Sequence, residues 1–148
     1  MRKKSGGQCA LSVVNSEPMK NMTQAKKAAP SAKRKMSEMI SEMAEGFLWV
    51  GDTIGERQNR LNVACSAWNM ACESPQVRKR QLAHYEEQYL RCNPATLPTD
   101  LANIIKDLEV LIDRKLKMFP DDLRQVVSAR VVMVGKTHRI EVASARLQ

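Results

Sequence analysis

Two histidines, four cysteines and a few acidic turn residues are the side chains with which this chain could make or break bonds. His138 lies beside a turn signal, and Asp121 or Asp122 could orient its ring as a general base, because a carboxylate holding one imidazole nitrogen leaves the other to take a proton. The bland account is a surface histidine and two turn aspartates. His84 falls on the polar side of a helical pattern. The chain has no Gly-rich phosphate loop, no Gly-x-Ser-x-Gly elbow and no metal-ligand spacing. These observations predict a protein that is not an enzyme, with no catalytic residue, no metal site and no cofactor.

Cys9, Cys65, Cys72 and Cys92 show none of the close pair spacings of a zinc ribbon or redox motif. Cys65 and Cys72 stand two turns apart in one helical pattern, roughly 10 Å along its axis, too far for a disulfide or a shared tetrahedral zinc. They read as small core residues, and a reducing compartment is the expected setting. No apolar run approaches the length of a membrane span. The expectation is a soluble cytoplasmic protein; a transit peptide for an organelle is the alternative, because the N-terminus is basic and nearly free of acids.

Charge gives the stronger pointer. The formal net charge is +8, and residues 1–35 contain nine Lys/Arg against the single acid Glu17, whereas the remainder has fifteen residues of each sign. The basicity therefore belongs to the N-terminal stretch. Residues 1–31 have few large apolar side chains to offset ordering entropy and read as a disordered arm. Lys26, Lys27, Lys33, Arg34 and Lys35 are its candidate phosphate contacts, and a solubilising leader is the plain alternative. A second cluster, Arg78, Lys79 and Arg80, opens a helix after Ser74-Pro75. A helix, a tight turn and a basic second helix could read DNA as a helix-turn-helix, although the turn is short and lacks glycine.

One globular domain is expected over residues 32–148, long enough to bury a core without disulfides or metals. The fold class is α+β and mostly helical: four helices packed around a central one, then a two-stranded antiparallel hairpin. The spacing of Met36, Met39, Ile40, Met43, Phe47 and Val50 predicts a first amphipathic helix over about 32–50. Gly51-Asp52 interrupts it. Thr53 and Glu56 form a capping-box pattern that opens a helix over about 54–73. There Ile54, Leu61, Ala64, Cys65, Trp68 and Cys72 share one face, Val63, Ala67 and Met70 lie opposite, and Asn62, Ser66, Asn69 and Glu73 make a polar stripe. Burial on two faces makes this the expected centre of the domain, with a Trp68 indole N–H in need of an acceptor.

Ser74 can cap, and Pro75 open, a third helix over about 75–92 that buries Leu82, Tyr85, Tyr89 and Cys92. Thr99 is the expected cap of a fourth, over about 99–119, with an aliphatic stripe from Leu101 to Phe119. Lys115 falls inside that stripe, where it is expected to snorkel at the core's edge, with an anion pocket as the other reading. Beyond Pro120 the period changes to alternation, and Gly135-Lys136 suits a two-residue hairpin turn over about 126–145. That turn pairs Met133 with His138, Val131 with Ile140 and Ala129 with Val142, and places Val132–Arg139 and Arg130–Glu141 on the other face.

The functional expectation is a non-catalytic intracellular interaction protein whose basic arm contacts nucleic acid largely without sequence preference. The alternative is an adaptor or subunit that docks a protein partner, or a second copy of itself, through the hairpin or a helix face.

Overall fold

A computed structural model describes residues 34–145. Four helices, α1 (Met36–Met43), α2 (Ile54–Ala71), α3 (Pro75–Cys92) and α4 (Pro98–Met118), precede the hairpin strands β1 (Gln125–Val134) and β2 (Thr137–Ala145). The helices start where their caps direct. Thr53 Oγ1 accepts from Glu56 N, and the Glu56 carboxylate accepts from the Thr53 and Asp52 amides, completing the capping box. Ser74 Oγ accepts from Val77 N at 3.3 Å, with Pro75 in the first turn of α3.

α1 is shorter than its periodicity suggests. It ends at Met43, and the chain turns through Gly46 at φ +85°, a left-handed backbone that a side-chain-bearing residue rarely adopts. The break shifts the apolar register. Leu48 is buried in place of the expected Val50, which is 48% exposed, and Phe47 is only half-buried. Gly51, at φ +102°, has no room for a Cβ, which would lie 3.0 Å from Glu56 Cβ. α4 likewise departs at its start, where Leu97 occupies the N-cap and Pro98 the first turn, so Thr99 lies inside the helix.

The core joins Met36, Met39, Ile40 and Met43 of α1, the second half of α2, Tyr85 of α3, Leu108, Leu111 and Ile112 of α4, and Val126 and Val131 of β1. Burial in α2 runs from Leu61 to Ala71 and takes in both faces, whereas Ile54 is exposed at its start. α2 packs mainly on α4 and β1 and more lightly on α1 and α3, so its surroundings are not four helices alone. Trp68 is fully buried, stacks obliquely on Phe119 with ring centres 5.8 Å apart, and donates its indole N–H to Arg124 O at 2.8 Å.

The hairpin has the register that its turn and alternation imply, from Val134↔Thr137 back to Ala129↔Val142. Gly135, at φ +63°, allows the two-residue connection. Ala129, Val131, Ile140 and Val142 face the core, while Arg130 and Glu141 form an ion pair at 2.9 Å on the other face. A bulge between Val126 and Ser128 interrupts the ladder near the start of β1.

Candidate interaction surfaces

α2 carries a line of amide side chains that seals one edge of the hairpin. Asn69 Oδ1 accepts from Val126 N at 2.7 Å, and its Nδ2 donates to Val126 O at 2.9 Å. Higher on the helix, Gln58 accepts from Val131 N at 2.8 Å and donates to Ala129 O at 3.1 Å and to Asn62. Farther down, Gln125 Nε2 donates to Glu73 Oε2 at 3.4 Å. The backbone groups of Val126, Ala129 and Val131 belong to the edge of β1 that faces away from β2. A strand edge presents unpaired N–H and C=O groups, and here a helix supplies the missing partners. The polar stripe of α2 is therefore a buried seam: Ser66 and Asn69 are fully buried, and Asn62 is half-buried.

Along the opposite edge, on β2, α1 packs against the strand but no side chain bonds its outward backbone groups among the described residues. In an antiparallel ladder, facing residues alternate between pairs that exchange both backbone bonds and pairs whose backbone groups point outward. Val134↔Thr137 closes the turn, so Val132↔Arg139 and Arg130↔Glu141 are bonded pairs, and His138, Ile140 and Val142 direct their N–H and C=O away from β1. Among the described residues no third strand and no hydrogen bond reaches those groups.

Several basic side chains hold the fold together. Arg78 Nε donates to Met70 O, and Nη2 donates to Ala71 O and Glu73 O at 3.3 and 2.9 Å. It thus caps the C-terminal carbonyls of α2, a helix with no basic residue in its last turn. This explains a cation at the unfavourable positive end of α3: its charge serves the negative end of α2. Arg114 does the same for α1 through Met43 O and Glu45 O. Arg57 lies over Trp49, and Arg60 lies over Phe47 and bonds Phe47 O.

Of the arm residues, Lys26, Lys27 and Lys33 fall outside the described residues. Arg34 bonds Glu42 and approaches Glu38 at 3.8 Å, so its charge is neutralised against the acidic side of α1. Lys35 is exposed just ahead of that helix, and Lys79 and Arg80 are exposed on α3. Among the described residues no hydrogen bond or ion pair joins the arm residues to the α3 cluster.

The groups singled out for catalysis are not brought together. His138 Nδ1 lies 2.7 Å from Arg57 Nη1, a donor, so the nitrogen that would have met a carboxylate is already an acceptor for a guanidinium. Asp122 is 8% exposed and pairs with the buried Arg124 at 2.6 Å. His84 is exposed. Cys65 and Cys72 are free thiols whose burial pushes their pKa up to about 12 and about 11, which leaves little thiolate to act as a nucleophile. Among the described residues no group of three His, Cys, Asp or Glu could hold a metal ion, and no helix is long and apolar enough to cross a membrane.

Lys115 is not at the edge of the core. It is fully buried, donates to Asp122 O at 2.6 Å and lies 5.1 Å from the centre of the Trp68 ring. Its partner there is a backbone carbonyl, whereas Arg124 pairs with the Asp122 carboxylate. A groove of about 470 Å³ opens between the α1–α2 turn and helices α2, α3 and α4, with Phe47, Tyr85 and Tyr89 as its aromatic walls. Four of its polar groups already have roles: Asn93 bonds Tyr89 O, Glu56 caps α2, Arg60 bonds Phe47 O, and Asn62 accepts from Gln58.

No protein-family model, curated protein or solved structure matches the chain, so its function is to be read from its own residues.

Proposed function

We propose that this is a non-catalytic interaction protein in which the α+β body anchors a basic N-terminal arm that contacts nucleic-acid phosphates with little sequence preference. The observation that carries this reading is the separation of charge. The excess of +8 lies in residues 1–35, and the body, balanced in charge, uses Arg57, Arg60, Arg78, Arg114 and Arg124 in caps, ring contacts and a buried ion pair. A neutral body exerts little long-range pull on a polyanion, whereas a run of lysines can follow the backbone and release counterions. Arg78 faces the carbonyls of α2, which weakens a helix-turn-helix in which the start of α3 reads bases.

The test is a shift assay with unrelated duplexes across a salt series. Replacing Lys26, Lys27, Lys33, Arg34 and Lys35 by Gln should weaken binding to all sequences alike and flatten the salt dependence, by about 0.9 in log–log slope for each B-DNA phosphate that the protein no longer neutralises. Arg34, already paired with Glu42, should contribute less than the lysines. Replacing Lys79 and Arg80 should have the smaller effect. Loss of sequence preference in the Lys79/Arg80 variant would favour the helix-turn-helix, and absence of binding at moderate salt would overturn the proposal. A protein-docking role is the second reading, favoured by the open β2 edge.

A further inference from the structure

We propose that the open edge of β2 is completed by β2 of a second copy of this chain, antiparallel, about a two-fold axis at Ile140. This inference stands apart from the nucleic-acid reading and does not depend on it.

Backbone geometry limits the possible pairings. Only His138, Ile140 and Val142 turn their N–H and C=O outward in the regular part of β2, so a symmetric ladder centres on one of them or on Arg139 or Glu141 between them. Centred on Ile140, the two Ile140 residues exchange both bonds, and His138 does so with the second copy's Val142 on either side. The residues between are then Arg139 facing the second copy's Glu141, and Glu141 facing the second copy's Arg139. These are the pairs without backbone bonds, where side chains approach most closely. Centring on His138 or Val142 opposes neither charge with its complement, and centring on Arg139 or Glu141 sets two like charges face to face.

Arg139 and Glu141 are available for this role. Both lie on the outer face of the hairpin, with side chains 64% and 40% exposed, and their ion pair within one copy is a long one at 3.5 Å, which pairing across the axis would replace. Arg130 holds one oxygen of Glu141 at 2.9 Å and leaves the other turned towards Arg139. Two of the usual devices against edge pairing are missing, since residues 137–142 contain no proline and no lysine, and the bulge of this hairpin is on β1. The fold has already sealed the β1 edge with Gln58 and Asn69, so β2 is where the sheet can grow.

The experiment is sedimentation equilibrium on the full chain over a concentration series, with R139E, E141R and their equimolar mixture. Wild type should show a monomer–dimer equilibrium. Each variant alone places like charges opposite one another twice and should raise the dimer dissociation constant tenfold or more. The mixture should restore it, because Glu at 139 then meets Arg at 141 and the native Glu141 meets the native Arg139. A wild type that is monomeric throughout, or single variants that dimerise as wild type does, would overturn the proposal. If a charge variant fails to fold, judged by circular dichroism, a mixture of R139C and E141C under mild oxidation replaces it. A 139–141 disulfide between copies supports the register, and its absence overturns it.

Discussion

Truncating Asn69 tests whether the polar stripe of α2 holds the hairpin in place. The side chain is fully buried, and its amide makes two hydrogen bonds to Val126, at 2.7 and 2.9 Å, in a strand residue that is itself fully buried. Asn69→Ala leaves an N–H and a C=O of β1 without these partners. At about 1–3 kcal/mol for each buried group left unmade, the loss should be about 2–6 kcal/mol, towards the lower end if water enters the space. A solvent-facing position would change stability by no more than about 0.5 kcal/mol. Asn69→Asp adds a signature. The carboxylate can still accept from Val126 N but opposes Val126 O, so burial and that carbonyl raise its folded pKa above the unfolded value of about 3.9. Its destabilisation should be absent below that value and grow as pH rises through the unfolded and then the folded pKa. Urea unfolding followed by tryptophan fluorescence, with m-values compared, reads both variants. A loss below about 1 kcal/mol for Asn69→Ala would refute the seam.

Trp68→Ala should cost about 3–5 kcal/mol in the same assay, followed by circular dichroism, because it empties a fully buried ring site and orphans Arg124 O. Arg78→Ala should destabilise by about 1.5–3 kcal/mol through the uncapped carbonyls of α2, whereas Lys79→Ala and Arg80→Ala should change melting little. The backbone amides of Thr53 and Asp52 hold the Glu56 carboxyl below the usual glutamate range. Because the folded pKa is depressed, the capping box contributes stability above about pH 4.3 that is lost as pH falls through the folded value. Carboxyl NMR titration should show that depression, with Thr53→Ala moving it back towards the ordinary value.

What could be read from the sequence was local. The capping box lies within four residues, and the hairpin register follows once a two-residue turn is set, because a one-residue slip would place Arg130 and Glu141 in the core. What could not be read depends on partners distant in sequence. Asn69 reads as a solvated helical polar residue until a strand 57 residues later supplies an N–H and a C=O. A signal was present: Gln58 and Asn69 lie about three turns apart, on one line of the helix, beside Asn62. Two amides in line suit a strand edge, since each has both a donor and an acceptor. Arg78 reads as one of a basic cluster that could contact DNA, because the carbonyls that it caps belong to another helix. The early end of α1 needed the left-handed turn at Gly46, where the apolar period alone continued to Val50. For the candidate interface, charge sums identified the arm, but the pairing of Arg34 with Glu42 across two helical turns was not apparent from them.

The buried charges make opposite demands on two residues that touch, and this can be measured. Lys115 and Arg124 both bond Asp122, the first at its backbone carbonyl and the second at its carboxylate, within a region of 0–8% exposure. Asp122 accepts from Arg124 through two side-chain nitrogens and the backbone amide, and Arg124 in turn donates to Arg34 O, linking the start of β1 to the approach to α1. Removing the carboxylate would leave Arg124 buried with its counter-charge gone. Asp122→Ala should therefore cost about 3–5 kcal/mol, the range for breaking a buried pair from one side. Lys115→Met removes a charge and keeps the volume. It loses one hydrogen bond to Asp122 O at 2.6 Å and a cation–ring interaction with Trp68, but removes an ammonium from an apolar site where desolvation opposes it. The two effects are of similar size, so Lys115→Met should change stability by no more than about 1.5 kcal/mol, in either direction. Denaturation of both variants at neutral pH decides the matter. Equal large losses would mean that Lys115 and Asp122 act as one ion pair, and that the hydrogen bond to the Asp122 backbone is not the main role of the lysine.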